Sequence, residues 1–161
     1  MSILYSSFTA EQMVDVSDLI VKGHVKNISA SRWNTTDGKT PMTENLLEYS
    51  LFHDIIIEVD EFYKGEATGD TKEIVVRQPG GVYGNIRQTV SVPQYYEGEE
   101  VILYLIEDFS LAFDNDKMIY SQINQEGQIF VISDNVGING LGEMVEIQSD
   151  IISNVDKFLN K

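Results

Sequence analysis

Six consecutive apolar residues, Val101-Ile102-Leu103-Tyr104-Leu105-Ile106, follow the turn residues Glu97-Gly98-Glu99. A run of this length, closed off by turn residues, reads as a strand buried on both faces. The fold must therefore cover that strand from two sides. Other strands show in the pattern of the remaining chain. Leu19 to Ile28 sets Leu19, Val21, Gly23 and Val25 against Lys22, His24 and Lys26, with a period of two. A long second strand runs from about Leu47 to Tyr63, with a β-branched centre at Ile55-Ile56-Ile57. A third covers Glu73 to Gln78, with Ile74 and Val76 alternating against Val75 and Arg77, and Pro79-Gly80-Gly81 breaks it. A fourth is expected around Gln88 to Val92. Two short strands are expected near Met118 to Ile123 and Gln128 to Ile132, joined by a hairpin turn at Glu126-Gly127.

Helices flank this set. Thr9 and Gln12 stand at capping-box spacing before Met13 and Val16. Near the C-terminus, Ser149 is placed to cap a helix over about 149–160, with Asp150 in its first turn. Ile151, Ile152, Val155, Phe158 and Leu159 make one apolar stripe on it. That stripe either packs on the sheet or is offered to a partner, and packing is favoured.

Length and charge narrow the function. A chain of 161 residues fits a single domain, 1–161, with a core over about 17–132. There is no cysteine, so disulfides, thiolate metal sites and cysteine nucleophiles are excluded. Twenty-six acidic and 11 basic residues give a net charge of -15. Such a chain repels phosphate backbones and anionic lipid, so no nucleic-acid partner is expected. No apolar run reaches the roughly 20 residues of a membrane-spanning helix, so no membrane insertion is expected. Met1 to Ser6 has neither the basic start nor the apolar stretch of a signal peptide. An exported or cell-surface protein with its leader removed is slightly favoured over a cytoplasmic one.

Strands punctuated by turns, with helices at the ends, point to a small barrel. Four blocks carry a family resemblance. They are Ser17 to Val25, Ile57 to Gly65 closing on Lys64-Gly65, Ile74 to Gly81, and Tyr95 to Leu105. Together they resemble the netrin-module superfamily, which includes the tissue inhibitors of metalloproteinases, and more closely uncharacterised exported domains of bacteria and archaea. The resemblance spans about Ser17 to Leu105. It implies a mainly β, OB-type (netrin-module-like) barrel with extra strands, a short N-terminal helix and a C-terminal amphipathic helix. The animal inhibitors present an N-terminal cysteine to a protease metal. This chain has none, so the inhibitory residue does not carry over.

Candidate sites follow from residue chemistry. Trp33 lies in the polar stretch after the first strand, and Phe109, Leu111 and Phe113 lie in the loop after the fifth. On an OB-type barrel such loops flank the usual binding face. These residues either anchor a protein or cell-envelope partner or fold back as a lid on the barrel. Asp108, Asp114 and Asp116 form an oxygen-rich loop that suits calcium, though their spacing is not that of an EF-hand. His24 falls on the polar face of its strand and His53 on the apolar face of the next, so a shared metal is not expected. Pro79-Gly80-Gly81-Val82-Tyr83-Gly84 lacks the following helix and the lysine of a phosphate loop, and reads as a wide turn. Glu58 and Asp60 share one strand face, the pattern of a solvated surface. With no catalytic motif in view, the expected function is a non-catalytic binding module. The alternatives are an accessory domain, structural or regulatory and stabilised by calcium, and, less favoured, a hydrolase using acidic residues.

Overall fold

Thr9 opens the first helix, α1 (Ala10–Val16), through a complete capping box with Gln12. These features come from a computed structural model that describes residues 9–43, 45–66, 72–90, 93–108, 118–123, 130–133, 136–139 and 143–160. The Ser17 hydroxyl donates to Met13 O at 2.5 Å, and Lys64 Nζ donates to Val14 O at 2.7 Å, so a cation closes the helix at its negative end. Asp18 N then donates to Leu105 O, which hands the chain directly into strand β1 (Leu19–Ile28).

The remaining strands follow in order: β2 (Arg32–Trp33), β3 (Leu51–Lys64), β4 (Glu73–Pro79), β5 (Gly81–Tyr83), β6 (Ile86–Gln88), β7 (Glu100–Glu107), β8 (Ile119–Gln122), β9 (Phe130–Ser133), β10 (Val136–Asn139) and β11 (Met144–Val145). Five of them close a barrel in the order β1-β3-β4-β8-β7, with β7 returning to β1. All contacts around the ring are antiparallel except β4 with β8, which is parallel. Additional strands β9, β10 and β11 extend from β7, and β5 and β6 form a separate hairpin.

The apolar run in β7 has cover on both faces, as its composition requires. Val101, Leu103 and Leu105 point into the barrel beside Val21, Val25, Ile57, Val59 and Val76. Ile102 and Tyr104 point outward, against Met13 and Val14 of α1 and against Ile151 and Val155. Val155 belongs to the second helix, α2 (Ser153–Leu159). Each of these buried aliphatic side chains contributes roughly 1.5–3 kcal/mol relative to exposure. The C-terminal stripe therefore packs on the barrel. Burial pushes the hydroxyl pKa of Tyr104 well above the ordinary tyrosine range, and that of Tyr63, which packs against the same outer cluster, up to about 12. Among the described residues, no helix is long and apolar enough to cross a membrane.

Four expectations need correcting. The long strand starts at Leu51 rather than Leu47, because a short helical turn over Leu46–Glu48 precedes it. The strand expected at Gln88 to Val92 is instead β6, the second arm of a hairpin, at Ile86–Gln88; Val92 lies outside the described residues. β8 and β9 are not a hairpin. Both run antiparallel to the same edge of β7, so they point the same way; Glu126 and Gly127 lie outside the described residues. Helical structure near the C-terminus begins at Ile147, in a wide turn over Ile147–Ile152, where Asp150 Oδ2 accepts from Glu146 N at 2.7 Å. Ile147 and Ile151 face the same outer cluster, and burying both draws the helix start back.

Gly23 sits where β1 must bend to pair with β3 on one edge and β7 on the other. A Cβ there would lie 2.4 Å from Glu58 O and 2.9 Å from Ile57 Cγ2. Gly23→Ala should therefore cost about 1–3 kcal/mol in urea unfolding. A change within about 0.5 kcal/mol would show that the strand has room to spare.

Candidate functional site

Two apolar stripes inside the barrel end in polar residues at the same mouth. On β3, Val59, Ile57 and Ile55 lead by twos to His53; on β4, Ile74 and Val76 lead to Gln78. His53 and Gln78 are register partners. They line a cleft of about 390 Å³ together with Ile28, Tyr95, Tyr96 and Arg87. The β5–β6 hairpin roofs it. Gly80 and Gly81, at φ 92° and 142°, turn the chain from β4 into the hairpin, a conformation that side chains resist. Gly81 also lies against Ser31, whose Oγ would be 1.9 Å from an added Cβ. Three bonds fasten the hairpin down. Leu51 N donates to Gln88 Oε1 at 2.6 Å, Gln88 Nε2 donates to Tyr49 O at 3.1 Å, and Val82 N donates to Ser31 Oγ at 3.2 Å. The glycine-rich stretch is thus a strand-to-hairpin turn.

The polar row in the cleft is short of hydrogens. His53 Nδ1 lies 2.9 Å from Gly80 O, and His53 Nε2 lies 3.2 Å from Gln78 Oε1. Gln78 Nε2 donates to Pro93 O at 3.2 Å. Both carbonyls can only accept. A neutral imidazole gives its one N–H to Gly80 O, which leaves Nε2 facing Gln78 Oε1, acceptor against acceptor. Turning the Gln78 amide round moves the same conflict to Pro93 O. A second ring proton, or a donor group entering the cleft, supplies what is missing. Gln78 is 4% exposed, so the conflict sits where an unmade bond is costly. Tyr95 closes the floor, with its hydroxyl donating to Gln122 Oε1 at 3.0 Å, and burial pushes its pKa upward. The rim is apolar and open, with Val82 51% and Tyr96 65% exposed.

On the outer face of the same strand end lies a second polar group. Asp54 Oδ1 accepts from Arg77 Nε at 2.7 Å, and Asp54 Oδ2 accepts from Arg77 Nη2 at 3.0 Å and from Arg32 Nη2 at 2.6 Å. Both guanidinium groups also stack on Phe52, at 4.5 and 4.8 Å from the ring centre. Arg77 is buried although it sits on the outward face of β4, because Phe52 and the β2 segment cover it. The sequence signal was available: a lone arginine after Ile74-Val75-Val76 pairs in register with a lone aspartate before Ile55.

The sequence-expected residues are placed as follows. Trp33 is fully buried on β2, paired to β3 opposite Leu51, and its ring meets Tyr83 edge-on at 6.5 Å. It takes the interior of the two places left open for it. Phe109, Leu111, Phe113, Asp114 and Asp116 lie outside the described residues. Strand β7, which precedes them, ends at Glu107, whose N donates to Asp18 Oδ2 beside the start of β1. The Trp33 segment leaves β1 at its other end, Ile28. Asp108 is buried and accepts from the Ser121 hydroxyl. Among the described residues no group of three His, Cys, Asp or Glu side chains is placed to hold a metal ion. His24 lies on the charged outer face, with Nδ1 2.8 Å from Asp60 and Nε2 3.7 Å from Glu100, remote in register from His53. No family model and no curated protein matches this chain.

Removing Arg77 would strand the buried Asp54 carboxylate against a single guanidinium. Arg77→Met should destabilise by about 3–5 kcal/mol, and adding Asp54→Asn should recover part of that loss. Strictly additive losses in thermal unfolding would contradict the coupling.

Proposed function

We propose that this protein is a non-catalytic binding module that holds an extended segment of a partner protein in the barrel-mouth cleft. The observation that carries this reading is the hydrogen-short row of His53 and Gln78 beneath an apolar rim of Val82 and Tyr96. An extended peptide brings what that row lacks, a backbone N–H, and brings side chains for the rim. Barrel mouths are frequent ligand sites, and a cleft of about 390 Å³ is in the usual size range. The net charge of -15 favours a neutral or basic segment.

The ring order, with its first strand paired to both second and fourth and a parallel contact between third and fifth, supports reading the barrel as OB-type. Sequence reasoning placed the contact on loop aromatics. With Trp33 interior, the reading moves the contact to the cleft rim, and Phe109, Leu111 and Phe113 remain a second place for it.

Val82→Ser/Tyr96→Ser changes two exposed side chains and should leave folding intact. Immobilised wild type and double variant are compared for capture of proteins from lysate of the source organism, followed by titration of any captured protein. The reading expects a partner whose affinity falls about tenfold or more in the variant. Equal retention by both, or capture by neither, would count against the cleft.

A further inference from the structure

The β5–β6 hairpin is bound down on one face. Gln88 Oε1 accepts from Leu51 N, Gln88 Nε2 donates to Tyr49 O, and the Tyr83 ring meets Trp33 edge-on. Side chains alternate across a strand, so Val82 and Arg87 project from the opposite face, where they are register partners. Both are exposed and both line the barrel-mouth cleft. The hairpin therefore sets an apolar side chain and a cation next to each other on the cleft rim.

That cation has no acid to meet. The chain has three arginines. Arg32 and Arg77 both bond Asp54, whereas the Arg87 guanidinium has neither a hydrogen bond nor an ion pair among the described residues. Sixteen residues line the cleft and none is aspartate or glutamate, in a chain that carries 26 of them. At physiological salt a surface charge acts over about 8 Å, so this lining sets the charge that an occupant of the cleft feels. The field of the whole molecule stays negative and keeps the segment neutral or basic as a whole. A guanidinium holds a carboxylate through two parallel N–H bonds. A phosphate would bring more charge into the negative field and would find one arginine, where phosphate-reading sites cluster several.

We propose, on the reading of the cleft as a peptide site, that the segment held there carries one carboxylate and that Arg87 selects for it at the rim. Each part of the site then meets one part of the segment. The His53–Gln78 row takes a backbone N–H, Val82 and Tyr96 take an apolar side chain, and Arg87 takes the carboxylate beside it. That carboxylate belongs to an Asp or Glu side chain or to the end of the partner chain, since a guanidinium meets both alike.

A library of random heptapeptides, displayed with a free C-terminus, is selected on wild type, R87Q, R87E and the Val82→Ser/Tyr96→Ser variant. Arg87 is exposed, so its variants should match wild type in thermal unfolding. Peptides enriched on wild type are then synthesised with the acidic residue changed to its amide, or with an amidated C-terminus. One of these two changes should weaken binding to wild type by about tenfold, and which one it is names the source of the carboxylate. R87Q should bind parent and analogue equally, and R87E should turn the enrichment towards Lys and Arg. Peptides that need Val82 and Tyr96 but bind wild type and R87Q equally, or whose two analogues bind wild type as the parent does, would keep the cleft as a peptide site and overturn selection by Arg87. Peptides indifferent to all three residues, or no enrichment on wild type, would contradict the cleft reading and this proposal together.

Discussion

The five-stranded ring depends on one strand serving two partners. From Ile20 to His24, β1 pairs with β3 along one edge and with β7 along the other. That double use closes the barrel, and closure removes the exposed edges an open sheet would leave. It also forces β1 to coil, with register shifts at Ile20/Val21, Lys22/Gly23 and Val25/Asn27. Gly23 answers the tightest of these crossings, where backbone from β3 leaves no space for a side chain. Every other element is placed by this closure. α1 and α2 settle on the outward face that β1 and β7 share, and the cleft opens where β1 ends and β3 begins.

The two polar groups at that end of the barrel differ in how far they are satisfied. Outside, Asp54 is matched by two arginines stacked on Phe52, a cluster whose geometry is complete. Inside, the His53–Gln78 row is one hydrogen short. A folded chain tolerates such a deficit where solvent or a ligand reaches it, and the cleft provides that access. The same logic applies to the Trp33 indole, a donor with no partner among the described residues. Both unmet groups flank the first residues of β3, so recognition and folding meet in one short stretch.

Elements set by local pattern were legible in the sequence. The capping box at Thr9 and the doubly covered strand at Val101 each followed from residues near one another. What escaped depends on distant partners. β2 exists only because Arg32 and Trp33 lie along Phe52 and Leu51, and β10 and β11 are two- to four-residue pairings with little pattern of their own. The error at β8 and β9 has the same source. Two short strands in succession look like a hairpin locally, and only their shared edge on β7 shows otherwise. Trp33 sits among polar neighbours, so its sequence left both an exposed and a folded-back place open, and the hairpin that meets its ring lies some fifty residues on, at Tyr83. His53 was placed on the apolar face of its strand and Gln78 was not singled out, because that two apolar stripes end in these residues at one mouth is a fact of register.

Native-state hydrogen exchange, read residue by residue, tests the closure most directly. If β1 is bonded on both edges, amides from Leu19 to Val25 should exchange as slowly as those from Val101 to Leu105, opening only with global unfolding. Exchange of β1 at the rate of the β5–β6 hairpin, with β7 still protected, would mean an open sheet in place of the barrel.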